Sequence, residues 1–125
     1  MTRRILMIDD EADIREVAQM GLELIGGWSV SAAGGGAEGL TKAAAEQPDA
    51  VLLDMMMPEM DGTEVFRRLR TDSMTGHIPV VFLTAKVQSA DHEVVSQLGA
   101  EGVLAKPFDP LTLADEIAAL LGWSD

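Results

Sequence analysis

Short apolar runs alternate five times along this chain with longer stretches of helical periodicity, an order that layered α/β folds with a parallel sheet accommodate and few others do. The runs are Ile5-Leu6-Met7-Ile8, residues 28–32, residues 50–53, Val80-Val81-Phe82-Leu83 and residues 102–105. Four of them stop at a polar side chain. Asp9 and Asp10 follow the first, Asp54 the third, Thr84 the fourth and Lys106 the fifth. Open parallel sheets bind ligands beyond the carboxyl ends of their strands, at the crevice where strand order reverses. The five polar residues therefore mark a candidate site.

The intervening stretches carry helix signals of different strength. Ile14, Val17, Ala18, Gly21 and Ile25 recur at three- and four-residue intervals, and Gly26-Gly27 ends that helix. Residues 28–32 alternate apolar and polar, as an edge strand does. A second helix over residues 37–46 contains Gly39, at a cost of roughly 1 kcal/mol relative to Ala, and Pro48-Asp49 closes it. Asp61 is the expected N-cap of a third helix with Val65, Phe66 and Leu69 on one side. Residues 71–77 read as loop, and Pro79 opens the fourth strand. Ser89 or Asp91 starts a fourth helix with a Val94, Val95 and Leu98 stripe, ended by Gly99. The last helix is expected to begin with Asp109 as N-cap and Pro110 at the first helical position. Its stripe is Ala114, Ile117, Ala118 and Leu121, and Gly122 stops it.

With 47% hydrophobic residues over 125 positions, the chain is expected to form one compact domain, 1–125, with no linker and no output domain. It contains no cysteine, which removes disulfides and thiolate metal sites and fits a reducing, cytoplasmic location. Arg3 and Arg4 precede an apolar stretch, but Asp9, Asp10 and Glu11 end it far short of a signal-peptide core or membrane span. No membrane association is expected. The net charge is -12, with nine Lys and Arg against 21 acidic residues, so direct nucleic-acid binding is not expected. Arg67, Arg68 and Arg70 read as a solvated helix face. Metal cations and basic protein surfaces fit this balance better.

If the first and third strands are neighbours, ~4.8 Å apart, Asp9, Asp10 and Asp54 converge. Two carboxylates at ~4 Å repel by roughly 4 kcal/mol at an effective dielectric of about 20. Either a cation sits among them or one takes up a proton. Mg²⁺ answers this well, because it takes one or two carboxylates, keeps waters and accepts phosphate oxygen. Lys106 adds a second positive group. Gly34-Gly35-Gly36 lacks the Gly-Lys-Ser/Thr ending of a P-loop and reads as a flexible connection. His77 and His92 are isolated and read as surface or capping residues. Met55, Met56, Met57 and Met60 are expected to pack beside the site.

Four segments carry a resemblance over the full length: Ile8-Asp9-Asp10-Glu11, the run from Leu53-Asp54-Met55-Met56-Met57-Pro58 through Asp61-Gly62, Leu83-Thr84-Ala85-Lys86, and Ala105-Lys106-Pro107-Phe108. Together the chain resembles a response-regulator receiver domain of two-component signalling, of the chemotaxis-regulator type. The resemblance implies a flavodoxin-like (βα)5 doubly wound fold, a five-stranded parallel sheet of order 2-1-3-4-5. It implies that Asp54 is the phosphorylated aspartate, taking its phosphoryl group from a phosphohistidine on a sensor histidine kinase or histidine phosphotransfer protein. It also implies that Asp10, Asp54 and the main-chain carbonyl of Met56 bind Mg²⁺, with Mn²⁺ as the alternative ion and Asp9 acting through water. Thr84 and Lys106 would contact the phosphoryl oxygens. The fourth and fifth helices would present the switching surface to a downstream protein target. Lys106-Pro107 is the family's cis position. Such a chain is not an enzyme on other substrates but a phosphoacceptor that assists its own phosphorylation and dephosphorylation.

The chain also departs from the family. Val103 stands where many receivers carry an aromatic residue, three positions before the lysine, and there is no tyrosine. Signalling to the surface would then need another two-state element. Met56 and Lys86, two positions after Asp54 and Thr84, are expected to tune phosphoryl lifetime. Two other readings stay open. A Mg²⁺-dependent phosphohydrolase with an aspartate nucleophile would carry an Asp-x-Asp pair and a cap domain, whereas Asp9 and Asp10 are adjacent. A phosphorylation-independent, receiver-like interaction module would have no need of the complete set of site residues. A stand-alone regulator working by protein contact is the expected organisation.

Overall fold

The computed structural model describes residues 2–85 and 89–124, with the side chains of residues 89–92 and 94 outside the description. Five strands, β1 (Arg4–Ile8), β2 (Ser29–Ala33), β3 (Ala50–Asp54), β4 (Val80–Thr84) and β5 (Gly102–Ala105), form one parallel sheet of order β2-β1-β3-β4-β5. Five α-helices connect or follow them: α1 (Ala12–Met20), α2 (Gly36–Glu46), α3 (Gly62–Thr71), α4 (Ser89–Leu98) and α5 (Leu113–Leu121). This is the expected flavodoxin-like arrangement. The central strands β3 and β4 are buried at every position, as strands covered on both faces must be. The edge strand β2 is only partly covered.

The period of two along each strand divides the core in two. Leu6, Ile8, Val51, Leu53, Val80, Phe82 and Val103 face α2, α3 and α4, meeting Ala43, Val65, Phe66, Leu69 and Val95. Ile5, Met7, Ala50, Leu52, Val81 and Leu83 face the other way, onto Ala18, Leu22, Leu113, Ala114 and Ile117. The sheet is thereby clamped between two helical layers. Its C-terminal edge is left for the polar residues.

Several local expectations are corrected. The first helix does not keep one pitch: Gly21–Ile25 forms a π-helical turn after α1. Leu22, one helical turn after buried Ala18, keeps the core-facing stripe, while Ile25 at the end of the wider turn falls outside it, and Val17 on α1 is also exposed. The last helix begins at Leu113, not at Pro110, with Thr112 as N-cap. Asp109 instead caps a preceding turn, its Oδ1 accepting the Leu111 N–H at 2.9 Å. Gly39 is more than a weak point in α2, since a Cβ there would lie 2.5 Å from Ile8 Cδ1. The glycine lets the helix lie close on β1. Asp61 caps α3 as expected, accepting the Glu64 N–H at 3.0 Å. Leu98 lies at the surface rather than in the stripe of α4, and the side chains of Val94 and His92 are outside the described residues. The arginines divide: Arg67 and Arg68 are solvated and pair with Glu64, while Arg70 is half-buried. Its guanidinium donates to Glu101 at 2.6 Å and to the Ile78 carbonyl at 2.6 Å, and lies 4.7 Å over the Phe66 ring. No helix among the described residues is long and apolar enough to cross a membrane.

Candidate functional site

Parallel pairing brings the strand ends into one line. Ile8 pairs with Leu53, Asp54 with Leu83, and Thr84 with Ala105, so Asp9, Asp54, Thr84 and Lys106 stand side by side on the C-terminal edge. Main-chain bonds hold the strand exits in place. The Asp9 N–H donates to the Ala33 carbonyl at 3.1 Å, that of Met55 to Leu83 at 2.9 Å, and that of Lys106 to Thr84 at 2.8 Å. Gly62 lets α3 start directly against β3, because a Cβ there would fall 2.3 Å from the Asp54 carbonyl oxygen.

Asp9 is fully buried, Asp54 is 3% exposed and Thr84 is buried, whereas Asp10 is exposed. Asp9 Oδ1 accepts the Glu11 N–H at 2.9 Å, and the Asp9 carbonyl accepts from Arg15 at 2.7 Å. Among the described residues, Lys106 is the cation that meets these carboxylates. Its ammonium donates to Asp9 Oδ2 at 3.0 Å and Glu11 Oε1 at 3.2 Å, and lies 3.5 Å from Asp54 Oδ1. Asp54 Oδ1 also accepts the Met56 N–H at 3.2 Å, while Asp54 Oδ2 is buried with no hydrogen-bond partner among the described residues. An orphaned carboxylate oxygen is costly, and burial pushes the Asp54 carboxyl up to about 6. The Met56 N–H and Lys106 oppose that rise, and the Asp9 charge adds to it. For Lys106, burial works against the charged form, but the Asp9, Asp54 and Glu11 carboxylates together outweigh it and raise the ammonium above its ordinary value.

Asp9, Asp10, Glu11 and Asp54 each offer a carboxylate oxygen, all within 4.8 Å of one another. This all-oxygen donor set suits a hard divalent cation, and the buried Asp54 carboxylate, with only one oxygen hydrogen-bonded among the described residues, is the kind of group such an ion would stabilise. The fit is therefore good. Beside the cluster lies a cleft of about 420 Å³ lined by Asp10, residues 34–37, Met57, Pro58, Glu59 and Met60.

The structure brings together Asp9, Asp10, Asp54, Thr84 and Lys106, as their positions after the strands predict. The Lys106-Pro107 peptide is cis, as expected. Val103 is buried in the core with Phe82 and Val95. Met57 is buried, and Met55 and Met60 pack partly against the core, but Met56 is 76% exposed and turns away from it. The turn after β3 points it outward, and only its N–H engages Asp54. Lys86 lies outside the described residues. His77 is exposed, as expected. Glu11 was the participant least legible in the sequence. Its position after Asp9 and Asp10 was the only signal, and its partner Lys106 lies far along the chain.

Comparison with known proteins agrees with this geometry. The description "Response regulator receiver domain" attaches to the family model that matches residues 5–118. The chain is 38% identical over 125 residues to the alkaline phosphatase synthesis transcriptional regulatory protein PhoP of Bacillus subtilis, covering all of this chain and 51% of that one. It is 40% identical over 122 residues to the DNA-binding dual master transcriptional regulator RpaA of Synechocystis, covering 98% of this chain and 50% of that one. The chain thus spans about half the length of these curated relatives. Among solved structures, the chemotaxis protein CheY4 of Vibrio cholerae superposes with a TM-score of 0.88 at 30% identity, over 96% of this chain and 99% of that one.

Proposed function

This chain belongs to the response regulator receiver domain family, and on that premise we propose that Asp54 accepts a phosphoryl group from a phosphohistidine on a partner protein. The observation that carries this reading is the Asp54 carboxylate itself: buried at the end of β3, with one oxygen unpartnered among the described residues and an ammonium 3.5 Å from the other. An oxygen without a hydrogen bond has lone pairs free to attack phosphorus. With a carboxyl pKa of about 6, most Asp54 is ionised at neutral pH. In the transfer a P–O bond forms as the P–N bond breaks, and the electron pair of that bond stays on the leaving imidazole.

Lys106 neutralises charge on the equatorial phosphoryl oxygens, and Thr84, closing the neighbouring strand, would serve as a second donor. Asp10, Asp54 and the Met56 carbonyl would hold Mg²⁺, with Asp9 supporting through water. When bound, the ion would supply further neutralisation of phosphoryl charge. The donor partner is a sensor histidine kinase or a histidine phosphotransfer protein. The product is read around α4 and α5, by a downstream protein target. Val103, Phe82 and Val95 share one core cluster, so the route from the end of β4 to α4 would run through this buried apolar packing, with no aromatic ring at position 103 to swing. No DNA contact is assigned to these residues, whose net charge of -12 opposes one.

The test is incubation with a small acyl phosphate and Mg²⁺, followed by intact-mass measurement of the wild type and Asp54→Ala. Phosphorylation of the wild type alone, abolished by a chelator, is the expected result. An unmodified wild type or a phosphorylated variant refutes the reading.

A further inference from the structure

Glu11 sits at a helix start that its main chain serves, its carbonyl accepting the Arg15 N–H at 3.1 Å, but that its side chain does not. It is the N-cap residue of α1, yet its side chain makes no capping hydrogen bond. N-cap side chains ordinarily accept from the second or third N–H of the helix, and the short side chains of Ser, Thr, Asp and Asn do this best. The Glu11 carboxylate turns the other way, to Lys106 at 3.2 Å. The turn that aims it is itself pinned, because the Glu11 N–H donates to Asp9 Oδ1 at 2.9 Å.

The distances around the ammonium rank its partners. Asp9 is closest at 3.0 Å, Glu11 follows at 3.2 Å, and Asp54 is the loosest at 3.5 Å. Two of these carboxylates are buried, but the Glu11 side chain is 59% exposed while that of Lys106 is 10% exposed. Glu11 is thus the outer member of the set and draws the ammonium toward the rim. In the resting state Lys106 spends its best hydrogen bonds on Asp9 and Glu11, away from the oxygen where phosphoryl charge would build.

We propose that Glu11 is a positioning residue that latches Lys106 at the rim of the carboxylate cluster, in competition with Asp54, so that loosening the latch frees the ammonium for the phosphoryl group. The inference rests on Asp54 being the phosphoacceptor. Glu11 touches neither the phosphorus nor the attacking oxygen, and it acts through Lys106. An exposed ion-pair partner of this kind supports an effect of about two- to fivefold on the maximal phosphorylation rate.

Two variants separate the latch from its rivals. Glu11→Gln keeps the length and removes the charge; Glu11→Asp keeps the charge, shortens the reach and is a better helix cap, so it threatens folding least. Phosphorylation is measured against acyl phosphate concentration at saturating Mg²⁺. Both variants are expected to raise the maximal rate about two- to fivefold, with the half-saturating donor concentration unchanged. Acceleration by Glu11→Gln alone, or a change confined to the half-saturating concentration, would assign the effect to bulk charge repelling the anionic donor and overturn the proposal. Unchanged rates in both variants overturn it as well and leave Glu11 as part of the helix start. A wild type that takes up no phosphoryl group is a different result, since it removes the phosphoacceptor reading on which the latch depends.

Discussion

Replacing Asp54 by Asn is predicted to stabilise the metal-free protein at neutral pH, even though it removes the proposed nucleophile. The Asp54 carboxyl titrates at about 6 in the folded chain against an ordinary 3.8, and each tenfold change in proton affinity is worth ~1.4 kcal/mol, so the charged form costs folding roughly 3 kcal/mol relative to the neutral one. Because the folded value is raised, the favourable contribution is fully present below pH 3.8 and is lost as pH rises through about 6. An Asn side chain is neutral throughout and retains an acceptor for the Met56 N–H. Its amide would stand where Oδ2 has no partner among the described residues, an unpaired donor that costs about 1–2 kcal/mol, which leaves a net gain of about 1–2 kcal/mol above pH 7. Urea unfolding in chelator, followed by the fluorescence of Trp28 and Trp123, checks this. That pair meets edge to face at 5.4 Å, away from the strand ends that carry the site. With a urea slope of about 1–2 kcal/mol/M, the midpoint moves up by roughly 1 M at pH 7.5, and the difference closes by pH 4. A variant no more stable than wild type at pH 7.5, or a gain that persists at pH 4, would refute the reasoning.

Three further outcomes follow from the same geometry. Gly39→Ala, favourable by helix propensity alone, is expected to destabilise the fold by about 1–3 kcal/mol through overpacking, because the new Cβ lies 2.5 Å from Ile8 Cδ1; thermal or urea unfolding measures it. Glu101→Ala strips Arg70 and the Val80 N–H of a shared acceptor and should cost about 1–3 kcal/mol, with phosphorylation unaffected, in the same unfolding assay. Met56→Asn places a polar amide on the exposed side chain next to Asp54 and Lys86→Ala removes a cation from the position two after Thr84, so the two should change the dephosphorylation rate in decay measurements, while equal rates would leave both as loop side chains.

The order of the elements and the meeting of the candidate residues at one sheet edge were legible in the sequence for a physical reason: both are consequences of local pattern. A run such as Val51-Leu52-Leu53 must be buried, and in a parallel sheet every strand reaches the same edge, so Asp9, Asp54, Thr84 and Lys106 had to meet once the runs were recognised. The N-cap at Asp61 was legible because it involves a residue three positions away. What failed were features in which a local signal competes with a distant one. Ile25 fits the helical stripe, yet it closes a π-helical turn and lies exposed, while Leu22 is the last residue of that turn to lie in the core. Asp109-Pro110 reads as a helix start, but the chain makes one turn first, and Leu113 opens the helix where the core needs it.

Sequence alone therefore determined the fold class, the strand ends that form the site and the likeness of the chain to receiver domains. Tertiary structure decided who pairs with whom. It gave Gly39 its role through Ile8, tied Arg70 to Glu101 across 31 positions, and set Lys106 among Asp9, Glu11 and Asp54 at unequal distances. Periodicity records whether a side chain is buried, because that depends on the element it belongs to. Hydrogen-bond competition at a crowded strand edge depends on differences of a few tenths of an ångström between residues far apart in the chain, and only the folded packing sets those.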